Sequence, residues 1–309
     1  MSKTLLESKL GYRNLSCGVE ILCDFTQKDG RPVTMNGHAL PICLDVGRPV
    51  LLGQLMPDVS IEHAMASVRS FFQFELKLAF VTCRHLVDRV YAANDYGSCL
   101  HSVKFALWHE GRHYTIEYDK DHLDVWIPEN KKLDLAILSL NAKGVSVPLD
   151  IPDQSLSMVP LSVLVEFCDA SYSLDWGAKV GFTSKQPWTG EHPIHRTGVV
   201  SSNPLVDFQS SYVPYDHIYL LEAQSFSGSS GSPVWAYPVG SPKTDAITIE
   251  GFSLEKYKPP HLIGIMLGHI TNDKSGTKMI NGLPVGLSFC HKLNAVFLLL
   301  MGIEPCTRL

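Results

Sequence analysis

Short runs of alternating apolar and polar residues, broken by Gly, Pro, Asn or Asp, recur along the first half of the chain. They span Cys17 to Phe25, Phe72 to Val81, Val103 to Trp108, Tyr114 to Tyr118 and Leu133 to Leu140. A period of two puts one face of a pleated strand inside, so each run predicts a short β-strand with turns between. Lys143 to Met158, rich in Pro, Asp and Ser, breaks the pattern without helical periodicity and reads as a linker. Strand-like runs then resume: Leu161 to Phe167, Ala178 to Phe182, Gly198 to Ser201, His217 to Glu222, Pro233 to Ala236, Leu262 to Gly268 and Val285 to Phe289. Two all-β halves follow, residues 1–145 and 146–309. The tail from His291 to Met301 has helical spacing, with Leu293, Val296, Phe297 and Leu300 on one face and Gly302 placed to stop it. Asn36 to Asp58 and Ile61 to Ser67 show no clear period beyond a short helix expected over Glu62 to Arg69.

Composition narrows the class of partner. Hydrophobic residues at 45%, charged residues at 18% and a net charge of -5 exclude a disordered chain and give no electrostatic case for nucleic acid. The longest apolar stretch, Ala295 to Ile303, is about half of what a bilayer-spanning helix requires, so no membrane partner is expected. Met1 to Gly11 carries Lys3, Glu7 and Lys9 and lacks the apolar run of a secretory signal. Eight cysteines without a C-x-x-C pair then fit buried free thiols in a reducing, cytoplasmic compartment. No pattern speaks to oligomeric state.

Three segments carry candidate chemistry. Gly228-Ser229-Ser230-Gly231-Ser232-Pro233 sets a serine among glycines in a tight loop running into the strand Val234-Trp235-Ala236. Glycine at 228 lets its N–H turn beside that of Ser230, giving an oxyanion hole in outline. Upstream, Ala79 to Val87 reads as an apolar strand leading into His85. Between them Asp134 opens the apolar run Leu133 to Leu138, where an unpaired carboxylate is costly. His85 is its natural partner, and a serine, a histidine base and an orienting carboxylate together are what serine-based acyl transfer requires.

In this order, His85, Asp134 and Ser230 resemble the trypsin/chymotrypsin-like serine peptidases. So do the strand Leu262 to Gly268, the segment Arg196-Thr197-Gly198-Val199-Val200-Ser201, the Gly-Ser-Pro-Val ending of the serine loop, and Val285 to Phe289 before a terminal helix. The closest branches in motif style are HtrA-like and glutamyl-endopeptidase-like, without a PDZ extension. The resemblance implies two antiparallel six-stranded β-barrels with a C-terminal α-helix, the first carrying His85 and Asp134 and the second Ser230. It implies a serine endopeptidase acting on peptide or protein substrates without a cofactor. Gly228 and Ser230 would form the oxyanion hole, Gln224 the floor of the specificity pocket, and Met266 and His269 its flanks. Leu267 lies on the expected substrate-pairing strand. Ser229 stands where zymogen-activated members carry an aspartate, so that activation switch is not expected. No Asp marks the pocket floor, which argues against Lys or Arg preference, and Met266 stands where the glutamyl branch carries a histidine.

Other readings stay open. His109-Glu110-Gly111-Arg112-His113 spells a zinc signature, but Val103, Phe105 and Leu107 alternate before it and Tyr114, Ile116 and Tyr118 after it. That context is a hairpin tip, not a helix face. His192 and His195 read as a polar loop entering the Arg196 strand. The rival from another class is a catalytically silent barrel pair that binds peptides through the same groove.

Overall fold

The computed structural model describes residues 18–43, 78–93, 98–109, 112–145, 158–171, 173–184, 193–209, 214–240, 248–249, 252–253, 257–269 and 286–309. β1 (Val19–Thr26) alternates buried and half-buried side chains, as a strand covering a core on one face must. It pairs antiparallel with β2 (Pro32–Cys43) and with β4 (Cys99–His109), and β4 continues into β5 (Arg112–Asp119). On the other side of β2 follow β3 (Leu78–Thr82), β7 (Ala136–Leu140) and β6 (Leu123–Pro128), so most of the first half is one antiparallel, open sheet. Along β3 and β7 every residue is buried. Three one-turn helices, α1 (Arg84–Val87), α2 (Arg89–Ala93) and α3 (Ala142–Val145), bend the chain at the rims.

The remaining strands are β8 (Val159–Pro160), β9 (Lys179–Ser184), β10 (Ile194–Val200), β11 (Ile218–Ala223), β12 (Pro233–Ala236), β13 (Thr248–Ile249), β14 (Phe252–Ser253), β15 (His261–His269), β16 (Leu287–Lys292) and β17 (Cys306–Arg308). Six of them close into a barrel in the order β10, β11, β16, β15, β12, β9, while β13 and β14 pair only with each other. The expected all-β architecture with a terminal helix is therefore present. One lobe is a closed six-stranded barrel and the other, among the described residues, a curled sheet that does not close.

Several elements depart from expectation: β2 and β6 lie where the pattern predicts no strand, Arg84–Val87 is helical within the run Ala79 to Val87 expected as a strand, and two further elements differ as well. Leu161 to Phe167, expected as a strand, is the front of α4 (Leu161–Ser171). Leu161, Leu164, Val165 and Cys168 recur at helical spacing within an almost continuous apolar run, and such a run does not separate a strand from a buried helix. Phe167 then meets Trp235 of the barrel edge-on, ring centroids 5.7 Å apart. β17 has no counterpart in the pattern. It pairs with β6 of the first sheet, and Arg308 donates to the buried Asp124. The expected terminal helix is α5 (Leu293–Leu300), followed by Gly302 at φ 65. The expected helix over Glu62 to Arg69, most of the Lys143 to Met158 linker, residues 44–58 and 61–67 of the poorly periodic stretches and residues 72–77 of the strand expected over Phe72 to Val81 lie outside the described residues. Cys23, Cys83, Cys168 and Cys290 are buried, and all seven described cysteines are free thiols.

At Gly264 the two central barrel strands approach so closely that an added Cβ would stand 1.9 Å from the carbonyl of His291. We expect Gly264→Ala to force β15 from β16 and to cost about 2–4 kcal/mol. Urea unfolding of the two chains checks this, and an unchanged midpoint would contradict the packing.

Candidate active site

β3 delivers the chain into α1, and α1 carries His85. This single turn is held by its own side chains. Arg84 and Asp88, both buried, pair at 2.9 Å one turn apart, and Arg84 also donates to Pro128 O at 3.0 Å and lies over the Tyr91 ring. A helix this short has no propensity reserve, so the buried pair and ring fix what sequence alone leaves loose.

Asp134 lies two residues before β7 and is 1% exposed. Both its oxygens serve His85: Oδ1 accepts the backbone N–H at 2.9 Å and Oδ2 meets Nδ1 at 2.6 Å. A carboxylate only accepts, so Nδ1 carries the proton and Nε2 is left as the basic nitrogen. Burial alone would raise the carboxyl's pKa, but the His85 charge, the two hydrogen bonds from His85 and the neighbouring His291 outweigh it and hold Asp134 below its ordinary range. Burial, and after it the negative charge of Asp134, pushes the thiol of Cys83 well up, so that sulfur is a packed thiol donating to Met266 O at 3.2 Å.

Ser230 lies in the loop between β11 and β12, and its C=O accepts from the His38 N–H across the seam of the two lobes. Gly228 has φ 92 and Gly231 φ 83, left-handed values that suit glycine. At Gly231 a Cβ would also stand 1.8 Å from His38 O. Ser229 N–H donates to Phe226 O at 2.9 Å, closing a turn with Gly228 at its third position, and the buried Ser229 hydroxyl accepts from Phe226 N–H. Gly231 N–H donates to Met266 O at 2.7 Å. The N–H groups of Gly228 and Ser230 donate to no acceptor among the described residues. Ser230 Oγ gives its one hydrogen to Leu267 O at 2.8 Å, and no hydrogen bond joins it to His85.

Among the described residues, the β12 side of β15 is no longer strand-paired beyond Ile265, except where Met266 bonds Gly231 and Ser232. Next to it a Cβ at Gly268 would meet nothing within 4 Å. Main chain and open space thus run past the serine loop from Leu267 to His269. Gln224 is exposed. Met266 is fully buried with Val180, Phe182, Val234 and Cys290 in the barrel core, so it offers the groove its main chain and not its side chain. His269 ends β15 opposite Ser288.

Two histidines unmarked in the sequence join the site. His38, in the poorly periodic stretch now seen as β2, is buried, and its Nδ1 lies 3.0 Å from Gly228 O while its N–H donates to Ser230 O at 2.7 Å. His291, placed by periodicity at the start of the helix, ends inside β16, wholly buried, and its Nε2 accepts the Asp134 N–H at 3.0 Å. Its Nδ1 faces His217 O at 3.4 Å, and His217 is the one non-glycine residue with positive φ among those described. A buried histidine in an apolar run was the available signal for both, though without a partner in sequence it names no role. A cavity of about 750 Å³ is lined by Lys292, Asp207, His217 and Tyr219 and by none of His85, Asp134 and Ser230. The zinc signature is not helical: His109 and His113 lie on β4 and β5, with His109 opposite Arg112. His195, on β10, meets the Tyr237 hydroxyl at 2.5 Å, and His192 lies outside the described residues.

No protein-family model matches the chain. No curated protein sequence matches it either. Among solved structures it is similar to the HtrA-type protease AlgW with tripeptide (TM-score 0.47, 13% identity), over 96% of this chain and 64% of that one. The chain therefore spans under two thirds of the AlgW chain's length. Deg5 is similar at TM-score 0.44 and 14% identity over 97% of this chain and 96% of that one. The MamO protease domain from Magnetospirillum magneticum follows at TM-score 0.38 and 13% identity, over 71% and 80%.

Burial lowers the pKa of His291 to about 4, against the attraction of Asp134. The unfolded chain, with an ordinary histidine near 6.5, therefore takes up the proton first, and stability falls as the pH drops from about 6.5 to 4, by roughly 3 kcal/mol in the limit. Asp134, whose pKa is lowered, acts in the same direction at lower pH. We expect His291→Gln, which keeps an acceptor for the Asp134 N–H, to flatten this acid dependence between pH 6.5 and 4.5. Urea unfolding at both pH values checks it, and an equal slope in the variant would reject the assignment.

Proposed function

We propose that the chain is a serine endopeptidase, with residues 1–145 supplying His85 and Asp134 and residues 146–309 supplying Ser230. The observation that carries this reading is the two-point grip of the buried Asp134 on His85, which leaves Nε2 basic in the lobe whose His38 also holds the glycine-framed serine loop. Burying a carboxylate is costly unless pairing and hydrogen bonds offset it, and a buried, paired titratable group of this kind supports a functional site.

An extended peptide would add its main chain to β15 from Leu267 to His269, with Gln224 at the pocket floor. Its N–H groups compete for Leu267 O, and the Ser230 hydroxyl, displaced from that carbonyl, turns towards His85. Ser230 Oγ attacks the scissile carbonyl carbon as Nε2 takes the hydroxyl proton, and Asp134 stabilises the imidazolium. The N–H groups of Gly228 and Ser230 bond the oxyanion. Collapse breaks the C–N bond, His85 returns its proton to the leaving amine, and water, deprotonated by His85, releases Ser230 from the ester. No metal or cofactor enters these steps.

A second reading has one observation in its favour: the Ser230 hydrogen is held by Leu267 O. If it stays there with peptide bound, the groove is a binding module.

A fluorophosphonate probe separates the two. We expect labelling of the wild type at Ser230, none in Ser230→Ala, and a rate lower by on the order of 10⁴ in Asp134→Asn, which presents His85 with the wrong tautomer. Peptide binding without labelling of the wild type would establish the binding module instead.

A further inference from the structure

Four hydrogen bonds hold the peptide planes that flank the two candidate oxyanion donors. The plane joining Gly228 to Ser229 is fixed at both ends, its N–H to Phe226 O at 2.9 Å and its C=O to His38 Nδ1 at 3.0 Å. The plane joining Ser230 to Gly231 is likewise fixed, its N–H to Met266 O and its C=O to the His38 N–H, both at 2.7 Å. A peptide unit is rigid, so the plane between them, which carries the Ser230 N–H, has little freedom left. One residue supplies two of the four anchors, and it comes from the opposite lobe. Thr82 Oγ1 in turn donates to His38 O at 2.6 Å, tying that residue to the strand that leads into His85.

The carbonyl of Gly228 can only accept, so Nδ1 of His38 must be the donor. Gly228 has a wide conformational range, and at φ 92 nothing intrinsic to glycine prevents the Gly228–Ser229 plane from turning over. A net rotation about the Gly228 Cα–C bond, which the His38 bond to Gly228 O opposes, would carry the Gly228 N–H, on the preceding peptide plane, out of line with that of Ser230. Ser229, a neutral buried hydroxyl, holds only Phe226 N–H at 3.2 Å and provides no charge to fix the loop.

We propose that His38 is a positioning residue that sets the oxyanion loop from the other lobe, so that the hole is formed on folding, without cleavage of the chain. The proposal rests on the serine-peptidase reading above. It gives the His38 ring a defined reach. Asparagine places an N–H at the same distance from the backbone as Nδ1, whereas glutamine places its amide one bond further out. The backbone N–H bond to Ser230 O survives both substitutions, so the seam itself is retained.

The test compares wild type, His38→Asn and His38→Gln by fluorophosphonate labelling at Ser230, resolving the maximal labelling rate from the probe's apparent affinity. Melting temperatures are measured in parallel. We expect His38→Gln to lose roughly tenfold or more in maximal rate, with affinity unchanged, and His38→Asn to recover most of it. Equal rates in all three proteins, or equal losses in both variants, would overturn the role of Nδ1 while leaving Ser230 established. No labelling of the wild type would remove the serine-peptidase reading and the proposal with it. If His38→Gln melts early, the comparison is made at a temperature where both variants are folded, and a wild-type rate there for His38→Gln is equally decisive against the proposal.

Discussion

A carboxylate at 1% exposure has to be satisfied from all sides, and Asp134 takes its partners from both lobes at once. The N–H and ring of His85 reach it from the turn after β3, and the ring of His291 reaches its backbone from β16. Losing any of these leaves polar groups unpaired in a dry interior, which costs more than the bonds themselves contribute. The seam therefore cannot slide without breaking bonds around a charge. The arrangement of His85, the serine loop and β15 is specified by that requirement more than by general apolar packing.

Around this charge the rest of the seam is made of main-chain groups brought very close. Gly37 and Gly231 both stand where a Cβ would lie under 3 Å from a heavy atom of the other lobe. Close backbone approach permits the His38 and Met266 contacts that frame the serine. It also means that single methyl groups, unremarkable elsewhere, act at these positions as wedges between strands.

What could be read from the chain, and what could not, follows from the range of the interactions. Alternation along Val19–Thr26, and the short apolar run Pro233–Ala236 after its turn, report a local property, a strand with one or both faces inside, and those strands were legible. Val163, Val165 and Phe167 alternate too, yet they belong to a helix, because a buried element is apolar all round and its period disappears. Asp134 was legible because an acid at the mouth of an apolar strand is a local anomaly. Its need for a partner pointed towards His85, where the structure brings the two together. His38 and His291 were not, since each acquires meaning only from a carbonyl or an N–H more than 150 residues away in the chain. Met266 had the right place in the chain but the wrong face: it sits next to the groove and points into the barrel.

The pairing of β17 with β6 has a consequence for synthesis. The sheet begun by Val19–Thr26 acquires its edge strand from Cys306–Arg308, after the whole barrel has been made. While the chain is still emerging from the ribosome, the side of β6 that β17 will cover is an open edge, with backbone groups able to recruit another chain. Assembly is thus circular: the sheet begun before the barrel is completed by a strand that follows it, and the edge of β6 stays open until Cys306–Arg308 reach it.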